Sequence, residues 1–168
     1  FESVARLTLR KFVDPYFSFR LDSQFLDESD PVGELLFNPV KLTETAGVAR
    51  VLRFANERGL PVVPRGGGSG SQGGAVPVGG GILLDLTRLD RIVAVDEESL
   101  TVTAEAGVNG GVLERALNER GLMLPHYPAS VDLATVGGYV AARGSGVLST
   151  RYGKIEDLVL SLRVALAD

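Results

Sequence analysis

The sequence contains no cysteine, which removes disulfides, thiolate metal sites and cysteine nucleophiles together and leaves the redox compartment open. Histidine occurs once, as His126, too few for a histidine-based metal site and a poor basis for a Ser-His-Asp triad, so no metal is expected. No stretch approaches the roughly 20 apolar residues that cross a bilayer. The opening residues, 1–12, lack the apolar block and small-residue cleavage site of a signal peptide. A soluble, cytoplasmic protein is the expectation. Basic residues are also short: 17 Lys and Arg stand against 21 Asp and Glu, a net charge of -4. That argues against nucleic acid as a partner, because phosphate binding needs a basic surface.

What is present is an ordinary globular balance, 45% hydrophobic and 23% charged over 168 residues, within the size range of one domain. The informative abundance is glycine. Its 21 residues are clustered beside strand-like apolar runs, lacking both the strict period of collagen and the setting of a flexible linker. Such glycines mark backbone that must approach something closely.

Residues 1–33 read as a helical lead-in, and 34–38 as a short strand stopped by Pro39. From Thr43 a helix is expected, since Val48, Val51, Leu52 and Ala55 share one face and Gly59 is placed to cap it. Leu60 to Pro64 and Ile82 to Leu86 are the next strands, which makes a parallel βαβ arrangement. Ile92 to Val95 and Leu100 to Glu105 form a hairpin around an acidic turn. Asn109 caps a second helix that carries Val112, Leu113, Ala116 and Leu117 on one face and closes at Gly121. Residues 125–130 form a loop, a glycine-loaded helix runs from Thr135 to about Arg143, and Leu158 to Leu166 alternates like a strand.

The segment Pro64-Arg65-Gly66-Gly67-Gly68-Ser69-Gly70-Ser71 is the strongest local signal. Gly68, Gly70 and Gly73 satisfy G-x-G-x-x-G, but a Rossmann site needs a helix to start there, and residues 75–81 cannot start one. A Walker loop fails as well, for want of Gly-Lys-Ser or Gly-Lys-Thr. Between two strands, unhindered glycine N–H groups can instead form an anion-binding nest, with Ser69 and Ser71 adding hydroxyls. Arg65 could supply charge or anchor the loop. A second cluster, residues 125–146, opens a helix at Thr135 followed by Gly137 and Gly138, which permits close backbone approach with a favourable dipole. Two such clusters suit a long ligand with a central pyrophosphate.

Three motifs occur in order: Pro64-Arg65-Gly66-Gly67-Gly68-Ser69-Gly70, then Pro128, Ser130, Thr135, Gly137 and Gly138, then Tyr152-Gly153 followed by Asp157-Leu158-Val159. In these the chain resembles the FAD-binding domain of the vanillyl-alcohol oxidase superfamily, in its glycolate oxidase, D-lactate dehydrogenase and alkyldihydroxyacetonephosphate synthase branches. The resemblance implies an α+β fold of two subdomains, residues 34–90 around a small parallel βαβ sheet and residues 91–168 around a mainly antiparallel sheet with helices. It also implies that the second subdomain is incomplete at its C-terminus and that a substrate or cap domain is absent. By the same resemblance, residues 64–71 wrap the FAD pyrophosphate. Ala129, Ser130 and Thr135 lie along the pyrophosphate and flavin side, Gly138 also binds the cofactor, and Ala142, Arg143, Gly144 and Ser145 touch the dinucleotide further along. Relatives with covalent flavin often carry a histidine in the glycine loop, where this chain has Ser69, or use a cysteine. FAD is therefore expected to be non-covalent.

The implied activity is oxidation of a 2-hydroxy acid, with the flavin accepting a hydride. The alternatives are a synthase-like exchange of acyl for alkyl without net redox change, and an FAD-binding fragment that is inactive alone. A homodimer is left open. His126 is a candidate proton carrier near the flavin, or equally a structural loop histidine. Tyr127 and Tyr139 are read as packing residues, Arg143 and Arg151 as either phosphate contacts or surface ion pairs, Asp157 as a brace for the turn after Gly153, and Asp85 as a backbone holder.

Overall fold

A computed structural model of the chain describes residues 40–41 and 45–166. The helical lead-in and the strand expected at 34–38 lie outside the described residues. The fold is α+β. Strand β1 (Val40–Lys41) is followed by helix α1 (Thr45–Arg58), strand β2 (Val62–Arg65) and strand β3 (Ile82–Asp85). These three strands are parallel in the order β1-β3-β2. The latest strand therefore sits in the middle, pairing Val62 with Ile82 through Arg65 with Asp85 on one side and Val40 with Leu84 on the other.

Helix α1 buries Val48, Val51 and Ala55 against Ile82 and Leu84 of β3, with Leu86 and Leu89 completing the cluster. Its end follows from Gly59, whose φ of 63° costs a Cβ-free residue little. The turn lets Leu60 N–H donate to Ala55 C=O at 2.8 Å and Gly59 N–H to Asn56 C=O at 3.2 Å, which satisfies two carbonyls left over by the last turn.

Strands β4 (Ile92–Asp96) and β5 (Thr101–Ala104) form the antiparallel hairpin. Asp96 shapes its turn by accepting from the N–H groups of Glu98 and Ser99, each at 3.0 Å. At the open end of the hairpin, the buried Glu105 carboxylate accepts from Arg91 N–H at 2.9 Å and Arg91 Nε at 2.8 Å. Helix α2 (Gly110–Asn118) starts where Asn109 Oδ1 accepts from Val112 N–H at 3.2 Å and puts Leu113 and Leu117 into the second core cluster. Helices α3 (Val136–Ala141), α4 (Ser149–Tyr152) and α5 (Ile155–Leu158) follow, and Val136, Tyr139, Ile155 and Leu158 pack into the same cluster.

Two expectations are corrected. Residues 158–166 are not a strand: Leu158 ends α5, and 159–166 belong to no helix or strand. Alternation yields a strand only where a neighbouring strand pairs with the backbone, and neither sheet among the described residues includes this stretch. Tyr127 is not a packing residue, being 43% exposed, whereas Tyr139 is buried. Asp157 and Asp85 act as expected, accepting from Lys154 N–H at 2.8 Å and Thr87 N–H at 2.9 Å.

Candidate functional site

The glycine loop leaves the C-terminal end of β2, beside the central strand β3. In open parallel sheets this is where ligand crevices form. Close packing explains its composition. A Cβ at Gly66 would collide with the Thr135 hydroxyl, and one at Gly67 with the Leu133 carbonyl oxygen, while lying 2.7 Å from the Leu133 carbonyl carbon. The loop is thus seated directly on the turn that leads into α3. Gly68 takes a φ of 67°, and the Arg65 guanidinium lies beneath it, with Nε 3.1 Å from where a Gly68 Cβ would stand.

Thr135 anchors the opposite wall. It is buried, and its hydroxyl accepts from Gly138 N–H at 3.3 Å. Val136 N–H donates to Val108 C=O at 2.9 Å and Gly137 N–H to Ala106 C=O at 2.8 Å. The first three N–H groups of α3 are therefore already taken by the protein. This corrects the expectation that the helix N-terminus would help to hold the pyrophosphate through its dipole: α3 has six residues, and its donors are spent. The loop is different. Among the described residues, no backbone carbonyl accepts from the N–H groups of Gly66 to Ser71. These are the donors that an anion can take up.

Loop and wall enclose a cleft of about 650 Å³. Of the residues expected to bind cofactor, Pro64, Gly66, Gly67, Gly68, Ser69, Gly70, Ser71, Ser130, Thr135, Gly138, Ala142, Gly144 and Ser145 line it. Arg65, Ala129 and Arg143 do not. The Arg143 guanidinium is held by Glu156, with Nη2 to Oε1 at 3.1 Å, and this pairing raises the Arg143 pKa and lowers that of Glu156. Sequence reasoning missed Gln72, Gly74, Ala75, Pro128, Ala134, Tyr139 and Ala141 as lining residues. Pro128 stood within the second motif, and the signal for the others was adjacency to the two motifs.

His126 lines the cleft as well, and it is only 2% exposed. Its ring meets Tyr139 edge-on, with centroids 4.7 Å apart and planes at 69°. Neither ring nitrogen of His126 nor the Tyr139 hydroxyl has a hydrogen-bond partner among the described residues. Burial pushes the imidazole down to about 4, and burial, reinforced by Asp132 and Glu114, pushes the Tyr139 hydroxyl up to about 12. Both side chains are therefore uncharged at neutral pH.

The sign of the resulting pH effect follows. The folded chain takes up the His126 proton less readily than the unfolded chain. Its contribution to stability is complete above pH 6.5 and drains away as the pH falls from 6.5 toward 4. Urea unfolding should therefore lose midpoint across that window in the wild type, with a shallower slope in His126→Gln; equal slopes would contradict the burial.

The cleft fits a dinucleotide: among the described residues it has unspent N–H groups beside glycines that admit no Cβ, and a buried imidazole with both nitrogens unmet. Residues 39–168 match the protein family described as FAD binding domain. The chain belongs to that family. FAD is the cofactor this domain holds. An uncharacterized FAD-linked oxidoreductase of Escherichia coli, YgcU, is 44% identical over 130 residues, covering 77% of this chain and 27% of the relative. The glycolate oxidase subunit GlcD of Bacillus subtilis is 36% identical over 124 residues, covering 74% of this chain and 26% of the relative. Among solved structures, an alkyldihydroxyacetonephosphate synthase superposes with a TM-score of 0.63 at 32% identity, covering 70% of this chain and 24% of that one. The chain spans about a quarter of the length of these relatives. No helix among the described residues is long and apolar enough to cross a membrane.

Proposed function

We propose that this domain holds FAD non-covalently in an oxidoreductase that acts on a 2-hydroxy acid of the glycolate or D-lactate type. Residues 34–90 and 91–168 are its two halves in this reading. The observation that carries it is the loop of residues 66–71, whose N–H groups no backbone carbonyl among the described residues takes up and whose glycines press against Leu133 and Thr135. These residues bind and orient: the loop N–H groups and the Ser69 and Ser71 hydroxyls hold the pyrophosphate, and Ser130, Thr135 and Gly138 form the opposite wall. Bound FAD supplies the hydride acceptor. Non-covalent attachment is supported by the lack of cysteine and by Ser69 standing in the loop.

The substrate preference rests on the glycolate oxidase relative. A second reading, alkyl exchange of the synthase type, is favoured by the structural likeness to alkyldihydroxyacetonephosphate synthase. Substrate recognition is assigned to chain outside these residues, so the domain by itself is expected to bind FAD without turning over substrate.

The test has two stages. Titration of the purified chain should quench flavin fluorescence, and acid or heat denaturation should release free FAD. Anaerobic glycolate or D-lactate should then bleach the flavin absorbance of the full-length protein that carries this domain. Flavin that survives denaturation attached to the chain would refute the non-covalent reading. A loaded protein that no 2-hydroxy acid bleaches would refute the oxidoreductase reading and favour the synthase-like one.

A further inference from the structure

The turn that seats the glycine loop is held from behind by the start of α2. Three of its carbonyls are engaged there. Gly111 N–H donates to Val131 C=O at 2.9 Å and Gly110 N–H to Ala134 C=O at 3.0 Å. The Asn109 amide donates through Nδ2 to Asp132 C=O at 2.9 Å and lies 3.4 Å from Ala134 C=O. Asn109 and Thr135 also pair across an isolated antiparallel bridge. Between the held carbonyls stands that of Leu133, against which Gly67 rests. The same Asn109 side chain uses its oxygen elsewhere, accepting from Val112 N–H at 3.2 Å as the cap of α2. Asn109 does not line the cleft.

From this geometry we propose that Asn109 is a positioning residue for the cofactor. Its Nδ2 fixes the 131–135 turn where it seats Gly66 and Gly67, and so aims the loop N–H groups at the pyrophosphate. The proposal rests on the FAD reading above and deepens it. The oxygen of Asn109 serves the helix and its nitrogen serves the loop seat, so chemistry separates the two duties. A serine hydroxyl caps a helix as well as asparagine does, but it has no second arm to reach Asp132 C=O. Alanine does neither.

Flavin fluorescence titration and thermal melts of the FAD-free chain test this on both variants. Asn109→Ser should bind FAD about fivefold more weakly, the loss of one or two neutral hydrogen bonds. Asn109→Ala should bind with the same weakened affinity yet melt roughly 3 °C below Asn109→Ser, having lost the cap as well. In a Gly67→Ala background, where the loop is already lifted, Asn109→Ser should weaken binding by less than about twofold, since both changes act on one seat. A purely structural cap would instead leave Asn109→Ser at wild-type affinity. That result, or a fivefold loss repeated in full on top of Gly67→Ala, would overturn the proposal and spare the FAD reading. If Asn109→Ala does not fold, Asn109→Ser and the double variant still decide. A wild-type chain that binds no FAD would overturn both.

Discussion

Gly67→Ala is expected to lower FAD affinity by roughly a hundredfold, the equivalent of about 3 kcal/mol, the upper end of what forced overpacking costs. The added methyl would enter the Leu133 carbonyl oxygen and come within 3.1 Å of Ala134 Cα. Both obstacles are backbone, in a turn closed by Leu133 N–H and Ala134 N–H donating to Ser130 C=O at 2.9 and 2.7 Å. The turn cannot give way, so the loop must lift. Lifting it misdirects the N–H groups of Gly66 to Ser71 on which the pyrophosphate depends. Flavin fluorescence titration measures the loss. Gly79→Ala is the matched control, since its methyl meets nothing within 4 Å, and its affinity should equal that of the wild type. Equal affinities for Gly67→Ala and Gly79→Ala would show that the loop does not hold the cofactor.

The second large effect is on stability. Gly107→Ala should cost about 3 kcal/mol and lower the melting temperature of the FAD-free chain by roughly 6–12 °C. Gly107 is buried where the two core clusters meet. Its N–H donates to Leu89 C=O at 2.8 Å, and a Cβ there would run into the Leu86 carbonyl oxygen and stand 2.8 Å from that of Leu89. Leu86 and Leu89 belong to the cluster around α1 and β3, whereas the neighbouring Ala104 and Val108 belong to the other. A methyl at this point therefore pries the clusters apart rather than disturbing one of them. Calorimetry checks the prediction, and a melting temperature within a degree of the wild type would refute the contact.

Some of the architecture was legible because its causes are local. The face of α1 follows from apolar residues three and four apart, and Val48, Val51 and Ala55 are indeed buried. Gly59 and Gly121 adopt positive φ where the sequence placed helix ends, and Asn109 caps α2 by its own side chain. The hairpin turn follows from Asp96 bonding to N–H groups two and three residues on. Rejection of a Rossmann loop was also local, since residues 75–81 carry the glycines and proline that deny a helix.

Other features carried no such signal. Helices α4 and α5 have four residues each, too short for a periodic pattern. Residues 159–166 alternate like a strand yet belong to no helix or strand.

The sequence by itself determined that helices α1 and α2 and the β4–β5 hairpin exist, the glycine loop between two strands, and a family resemblance strong enough to name FAD, because each rests on residues a few positions apart or on fixed motifs. Only the tertiary structure decided that β3 lies between β1 and β2, that the first N–H groups of α3 are consumed by Val108, Ala106 and Thr135, and that His126 is buried in the cleft wall with its nitrogens unmet among the described residues. Those outcomes depend on which distant groups packing brings within hydrogen-bond reach, and no spacing along the chain encodes that choice.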